Sequence, residues 1–186
     1  KDKYGDTPFM WACSNGHKDI VKLLLKHSDP RIDLNAKDHV EETALMAACS
    51  RGHKLLLDYS EPKVDLNARD SEGETAFMFA CESGQTDVVQ LLLAHSGPNI
   101  DLNARTDDRR TALMIACNEG QNDVVKLLLD CSNKIELNAR DQDGNTALKF
   151  ACIQGSKDIL QMLIDTGNPN IELNTPDDYG ITPLMM

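Results

Sequence analysis

Residues 111–138 read TALMIACNEGQNDVVKLLLDCSNKIELN. Leu113, Ala116 and Cys117 fall at i, i+3 and i+4, which makes one apolar stripe of a helix. Asn118-Glu119-Gly120-Gln121 interrupts that helix, and Val124, Val125, Leu128 and Leu129 then form a second stripe of the same period. Two short helices joined by a tight turn cannot bury both stripes alone. They need neighbours of the same shape.

The rest of the chain supplies them. Thr7, Thr43, Thr75, Thr111, Thr146 and Thr182 each open a Thr-Pro or Thr-Ala segment, at spacings of 36, 32, 36, 35 and 36 residues. After the first five come an Ala-Cys pair and then Gly16, Gly52, Gly84, Gly120 and Gly155. Each of these copies closes on Leu-Asn, at Asn35, Asn67, Asn103, Asn138 and Asn174. A period of this length with two helices per copy predicts a solenoid, one continuous core with contacts only between neighbours.

The first copy reads DKYGDTPFMWACSNGHKDIVKLLLKH from Asp2 and later closes on DLNAK. It resembles the ankyrin repeat, roughly D-x-x-G-x-T-P-L-H-x-A-A-x-x-G-H-x-x-I-V-x-L-L-L before a loop ending V-N-A. The similarity recurs in register through five copies with a sixth begun, so it covers essentially the whole chain. It implies an all-α solenoid of stacked helix-turn-helix repeats with β-hairpin-like finger loops. The expected organisation is a single domain over 1–186, with repeats of about 2–37, 38–69, 70–105, 106–140 and 141–175 and a partial 176–186.

Several positions depart from that pattern. The histidine of TPLH is replaced by Met10, Met46, Met78, Met114, Lys149 and Met185. Its polar tie to the threonine is therefore expected to be lost, with methionine packing softly instead. Glu41 and Arg109 stand where other fingers have glycine, a position that calls for positive φ. The second repeat lacks four residues between Lys54 and Leu55, about one helical turn. Either its second helix is truncated or residues are missing from the chain as written, and the intact flanking register favours the latter. The loops before each Leu-Asn are longer than the family's, which costs little. The Leu-Asn asparagines are expected to satisfy backbone groups of the fingers.

A formal net charge of −11 argues against nucleic acid as partner, since that requires a basic face. Arg109-Arg110 beside Asp107-Asp108 reads as a solvated charge cluster. No apolar run approaches a membrane span, and no signal peptide is visible. Both ends fall inside repeats, so the chain reads as a piece of a longer one. Cys13, Cys49, Cys81, Cys117 and Cys152 recur on the first-helix stripe. Stacked helices about 8–10 Å apart hold such residues beyond disulfide reach, so they read as small buried hydrophobes in a reducing compartment of the cytoplasm or nucleus. Cys131 lies off this ladder and reads as an exposed thiol.

Cys13 with His17 and Cys49 with His53 have i, i+4 spacing, which would suit a zinc site. The same histidines are the ordinary Gly-His turn of the resembled family, and that structural reading is preferred. Cysteines that recur in every layer do not read as nucleophiles. No catalysis, cofactor or metal is expected.

What remains is a surface. The resemblance implies that partners meet the finger tips and the exposed side of the first helices. Carried over by register, the candidate partner-binding residues are Tyr4, Asp6, Trp11, His39, Glu42, Arg51, Glu72, Glu74, Phe79, Glu82, Asp107, Asp108, Arg110, Glu119, Asp143 and Tyr179. Acids dominate, densest in the third and fourth repeats. The expected function is a non-catalytic scaffold that binds another protein through a basic segment, with the chain itself a monomer. The alternatives are a targeting module of a larger enzyme or signalling protein, and an engineered or structural array without a natural ligand.

Overall fold

A computed structural model describes residues 1–26, 32–54, 56–57, 64–94, 100–131, 133–165 and 171–185. Among these, the first helices of the repeats are α1 (Pro8–Ser14), α3 (Ala44–Ser50), α4 (Ala76–Glu82), α6 (Ala112–Asn118) and α8 (Ala147–Ile153). The second helices are α2 (Lys18–Lys26), α5 (Thr86–Ala94), α7 (Asn122–Asp130) and α9 (Lys157–Asp165), and a 3-10 turn covers Pro183–Met185. The protein is an all-α helical repeat protein, as the periodicity predicts. Its contacts divide the chain into two compact units, residues 1–80 with 87–101 and residues 81–86 with 102–186.

Each first helix starts the same way. Thr7, Thr43, Thr111 and Thr146 are N-caps whose hydroxyls accept the backbone N–H three residues on. The methionine at that third position does more than fill space. Met10 Sδ accepts the Thr7 N–H at 3.3 Å, Met46 Sδ that of Thr43 at 3.3 Å, and Met114 Sδ that of Thr111 at 3.5 Å. The expected loss of a polar tie is thus corrected. Sulfur is a weak acceptor, but it completes a capping box in the place usually held by Glu or Gln.

Each first helix ends in a left-handed glycine, among them Gly16 at φ 66°. A second constraint acts there, because a Cβ on Gly16 would lie 2.6 Å from the His53 ring of the following repeat. In the second unit Gln121 lies over Gly84 in the same way, and its Nε2 donates to the Glu82 carbonyl at 2.8 Å. The second helices place Asp19, Asp87, Asp123 and Asp158 in their first turns, where the helix dipole favours an acid.

In the first unit α1 packs on α2 and α3. Phe9, Met46, Phe77, Met78, Val88 and Leu92 are buried there. Among the described residues the second repeat has no second helix. After Gly52 the chain makes a turn closed by Leu57 N–H on the Lys54 carbonyl at 2.9 Å, with Leu56 and Leu57 buried. Residues 58–63 of that connection lie outside the described set, as do 27–31 and 95–99 of the long loops. In the second unit α6 packs on α7 and α8, α7 on α9, and α8 on α9 and the 3-10 turn. Cys13, Cys49, Cys81 and Cys117 are buried as expected, whereas Cys152 is half-buried. Burial pushes the Cys13 and Cys49 thiols up to about 12, and raises those of Cys117 and Cys152 as well. Cys131, expected to be exposed, is half-buried at the C-terminus of α7.

Candidate functional site

The fingers are built on one device. Asp38 Oδ1 accepts the N–H groups of Val40 at 2.9 Å and Glu42 at 2.8 Å, and its own N–H donates to the Glu42 carbonyl at 3.0 Å. Asp2, Asp70, Asp141 and Asp177 repeat the pattern, and in the fourth finger the Thr106 hydroxyl takes the Arg110 N–H. This is the side-chain turn that short acids favour. The tip residue then needs positive φ, which Gly5, Gly73, Gly144 and Gly180 adopt freely. Glu41 and Arg109 are forced into it, at φ 63° and 64°.

Neighbouring fingers are tied together. In the first unit His39 N–H donates to the Tyr4 carbonyl and Ser71 N–H to that of Val40. In the second, Gln142 N–H donates to Asp108 and Asp178 N–H to Asp143. The Leu-Asn asparagines also tie the loops together. Asn35 and Asn67 accept the Asp65 and Asp101 N–H groups, and Asn103 and Asn138 those of Glu136 and Glu172. These bonds hold one loop to the next.

Beside these fingers the first unit has a groove of about 350 Å³, lined by Asp6, Met10, Trp11, Ser14, Asp38, Glu42, Thr43, Ala47, Ser50, Arg51 and Phe79. Five of the predicted residues (Asp6, Trp11, Glu42, Arg51 and Phe79) converge there. Trp11 is 53% exposed, and its Nε1 donates to Asp2 at 3.4 Å. Burial, reinforced by the surrounding acids, raises the Asp6 and Glu42 carboxyls above the ordinary range. Asp38, which is not among the predicted residues, is the residue missed: its carboxylate forms the finger turn and also lines the groove.

The other predicted residues do not join it. Tyr4 is exposed beneath the Lys3 ammonium, 4.7 Å from the ring centre. His39 and Glu72 are exposed and Glu74 is half-buried on the fingers of the first unit. In the second unit Glu82, Asp107, Asp108, Glu119, Asp143 and Tyr179 are exposed. Arg110 departs from the solvated cluster expected of it. It is half-buried, its guanidinium lies 5.2 Å from the Phe150 ring centre, and its Nε is shut off from water. The acids that converge therefore belong to the first two repeats, not to the third and fourth.

Among the described residues no group of three His, Cys, Asp or Glu side chains is placed to hold a metal. His17 is exposed and His53 packs on Gly16. No described helix is long and apolar enough to cross a membrane.

Paired helices, the first of each pair capped by threonine, and turn-bearing fingers between the pairs define a helical-repeat protein. The family model for ankyrin repeats matches residues 1–70, 30–106, 54–141 and 131–186, so the chain belongs to the ankyrin-repeat family. It is also similar to osteoclast-stimulating factor 1 of Danio rerio, 53% identical over 34 residues. That match covers 18% of this chain and 15% of the relative, about the length of one repeat. Ankyrin repeats are in general protein-interaction modules and are in general non-catalytic.

Proposed function

We propose that the first unit binds a basic, extended segment of a partner protein in the groove between Trp11 and Phe79. The observation that carries this is the meeting of Asp6, Asp38 and Glu42 with two aromatic side chains in one concavity. Carboxylates held above their ordinary range by burial and by one another gain from a cation that relieves both effects. Aromatic walls suit the stems of Lys and Arg, and the acid field raises the association rate at low salt. Six free cysteines, four of them buried, fit a protein kept in a reducing, intracellular compartment.

Trp11 is the single tryptophan of the chain, so its fluorescence reports on the groove. Lys- and Arg-rich peptides should change it at low salt, with affinity falling as salt rises. Asp6→Lys and Glu42→Lys should abolish the change while Glu72→Lys and Asp108→Lys leave it. Loss on the second pair alone would move the site to the finger tips. No response to any basic peptide would remove the proposal.

A further inference from the structure

A contact inside the second unit bears on the groove of the first. Arg110 directly precedes the helix cap Thr111, and its guanidinium lies 5.2 Å from the ring centre of Phe150. Phe150 is the fourth residue after the cap Thr146, and its N–H donates to the Thr146 carbonyl. The residue before one threonine thus lies against the residue four beyond the next threonine. Phe150 is only 5% exposed in this arrangement. A cation on an aromatic face gains more when water is kept from it.

The same two positions recur in the first unit with other chemistry. Glu42 directly precedes Thr43, and Phe79 is four beyond Thr75, its N–H donating to the Thr75 carbonyl. Both line the groove. Where Arg110 brings a guanidinium, Glu42 brings a carboxylate, and Phe79 is half-buried instead of buried. The row to which Phe79 and Phe150 belong also holds Trp11, Ala47 and Ile115. Ala47 is its smallest member, stands between Trp11 and Phe79 in the order of repeats, and lines the groove with them. Asp6 and Asp38 add two further acids to the lining. Its cation, Arg51, is the C-cap residue of α3, whereas Glu42 lies just before that helix starts. Seven helical residues separate them, about 10 Å of rise.

We propose that the groove selects an arginine of the partner over a lysine, with the guanidinium against the Phe79 ring and paired with Glu42. The partner then supplies from outside what Arg110 supplies to Phe150 from within the chain. The inference rests on the groove being a site for a basic segment, and adds which cation it prefers. Acids alone favour lysine and arginine alike. The ring separates them, because a guanidinium is planar and weakly hydrated, stacks on an aromatic face and can give two parallel N–H bonds to one carboxylate. An ammonium is a compact charge that holds its water more strongly.

Two labelled Gly/Ser peptides, one with arginines and one with lysines at the same places, test this by fluorescence anisotropy on the 186-residue chain. The arginine peptide should bind about five- to tenfold more tightly. Phe79→Leu should lower its affinity to that of the lysine peptide and leave the lysine peptide unchanged, with thermal unfolding showing that the variant folds. Glu42→Gln, outside the helices, should narrow the preference as well, so the test stands even where Phe79→Leu does not fold. Equal binding of the two peptides by the native chain overturns the inference and leaves the basic-segment reading in place. So does an arginine preference that neither variant narrows, which would put the guanidinium elsewhere. Binding of neither peptide overturns both.

Discussion

Lys149 Nζ donates to Asp177 Oδ2 in the interior of the second unit, with side-chain exposures of only 5% and 3%. Lys149 occupies the place that methionine takes in the other repeats, and Asp177 is the turn-forming acid of the last finger. The lysine bond, with the Ile181 and Tyr179 N–H groups, holds the Asp177 carboxyl below its ordinary 3.8. A buried ion pair adds little net stability, but breaking one side of it is costly. Asp177→Asn and Lys149→Ala should each lower the urea midpoint clearly. Lys149→Met with Asp177→Asn should lose much less than the two single losses combined.

The same pair sets an acid dependence. A folded-state pKa below the unfolded value contributes stability that is present above the ordinary carboxylate range and lost as pH falls through the depressed value. Stability should therefore decline below about pH 4 in the native chain, and Asp177→Asn should flatten that decline. Urea titrations at successive pH values measure it.

Glu42 has the opposite sign. Its carboxyl is raised by burial and then by Asp38, Asp6 and Asp70, so its ionised form is disfavoured in the fold. The fold gains from the proton below the unfolded pKa and loses that gain as pH rises through the folded one. Glu42→Gln should raise the melting temperature at pH 7 and leave it unchanged in acid. A fall at pH 7 would mean that the groove acids are compensated in the free protein.

Glu41 and Arg109 hold left-handed backbone that glycine adopts without strain. Glu41→Gly and Arg109→Gly should each stabilise by about 1 kcal/mol, read from the urea midpoint. The gain at Glu41 should be the smaller, since its exposed ion pair with Lys37 at 2.9 Å is lost.

Gly16 is constrained by both its φ and the His53 ring. Gly16→Ala should cost about 1–2 kcal/mol for the backbone, and more for the contact. Adding His53→Ala should recover only the contact part, which a double-mutant cycle isolates. His53→Gln should be well tolerated, since Gln121 plays that part over Gly84.

Met46 is fully buried and its sulfur takes the Thr43 N–H. Met46→Leu keeps the volume and leaves a buried N–H unpaired, at about 1 kcal/mol. Met46→Ala opens a cavity as well and should cost about 2–5 kcal/mol.

The helices and their family were legible in the sequence because they are local. A threonine cap, an apolar stripe and a glycine stop are read within one repeat, and repetition makes the reading redundant. The positive φ of Glu41 and Arg109 was legible too, since the turn chemistry around them is local. What the sequence could not decide depends mostly on residues 27 to 41 positions apart, in neighbouring copies. Asp38 does not stand out until folding brings it beside Asp6, Trp11 and Phe79. Arg110 looks solvated until Phe150 lies beneath it, and a methionine shows no polar role until its sulfur is seated on a threonine N–H. Lys149 reads as a lapse in a methionine ladder until Asp177 is packed against it. Burial and charge pairing are properties of neighbours in space, and in a repeat protein those neighbours come from the next copy. Only the tertiary structure could therefore say which exposed-looking acids share a groove and which are merely solvated.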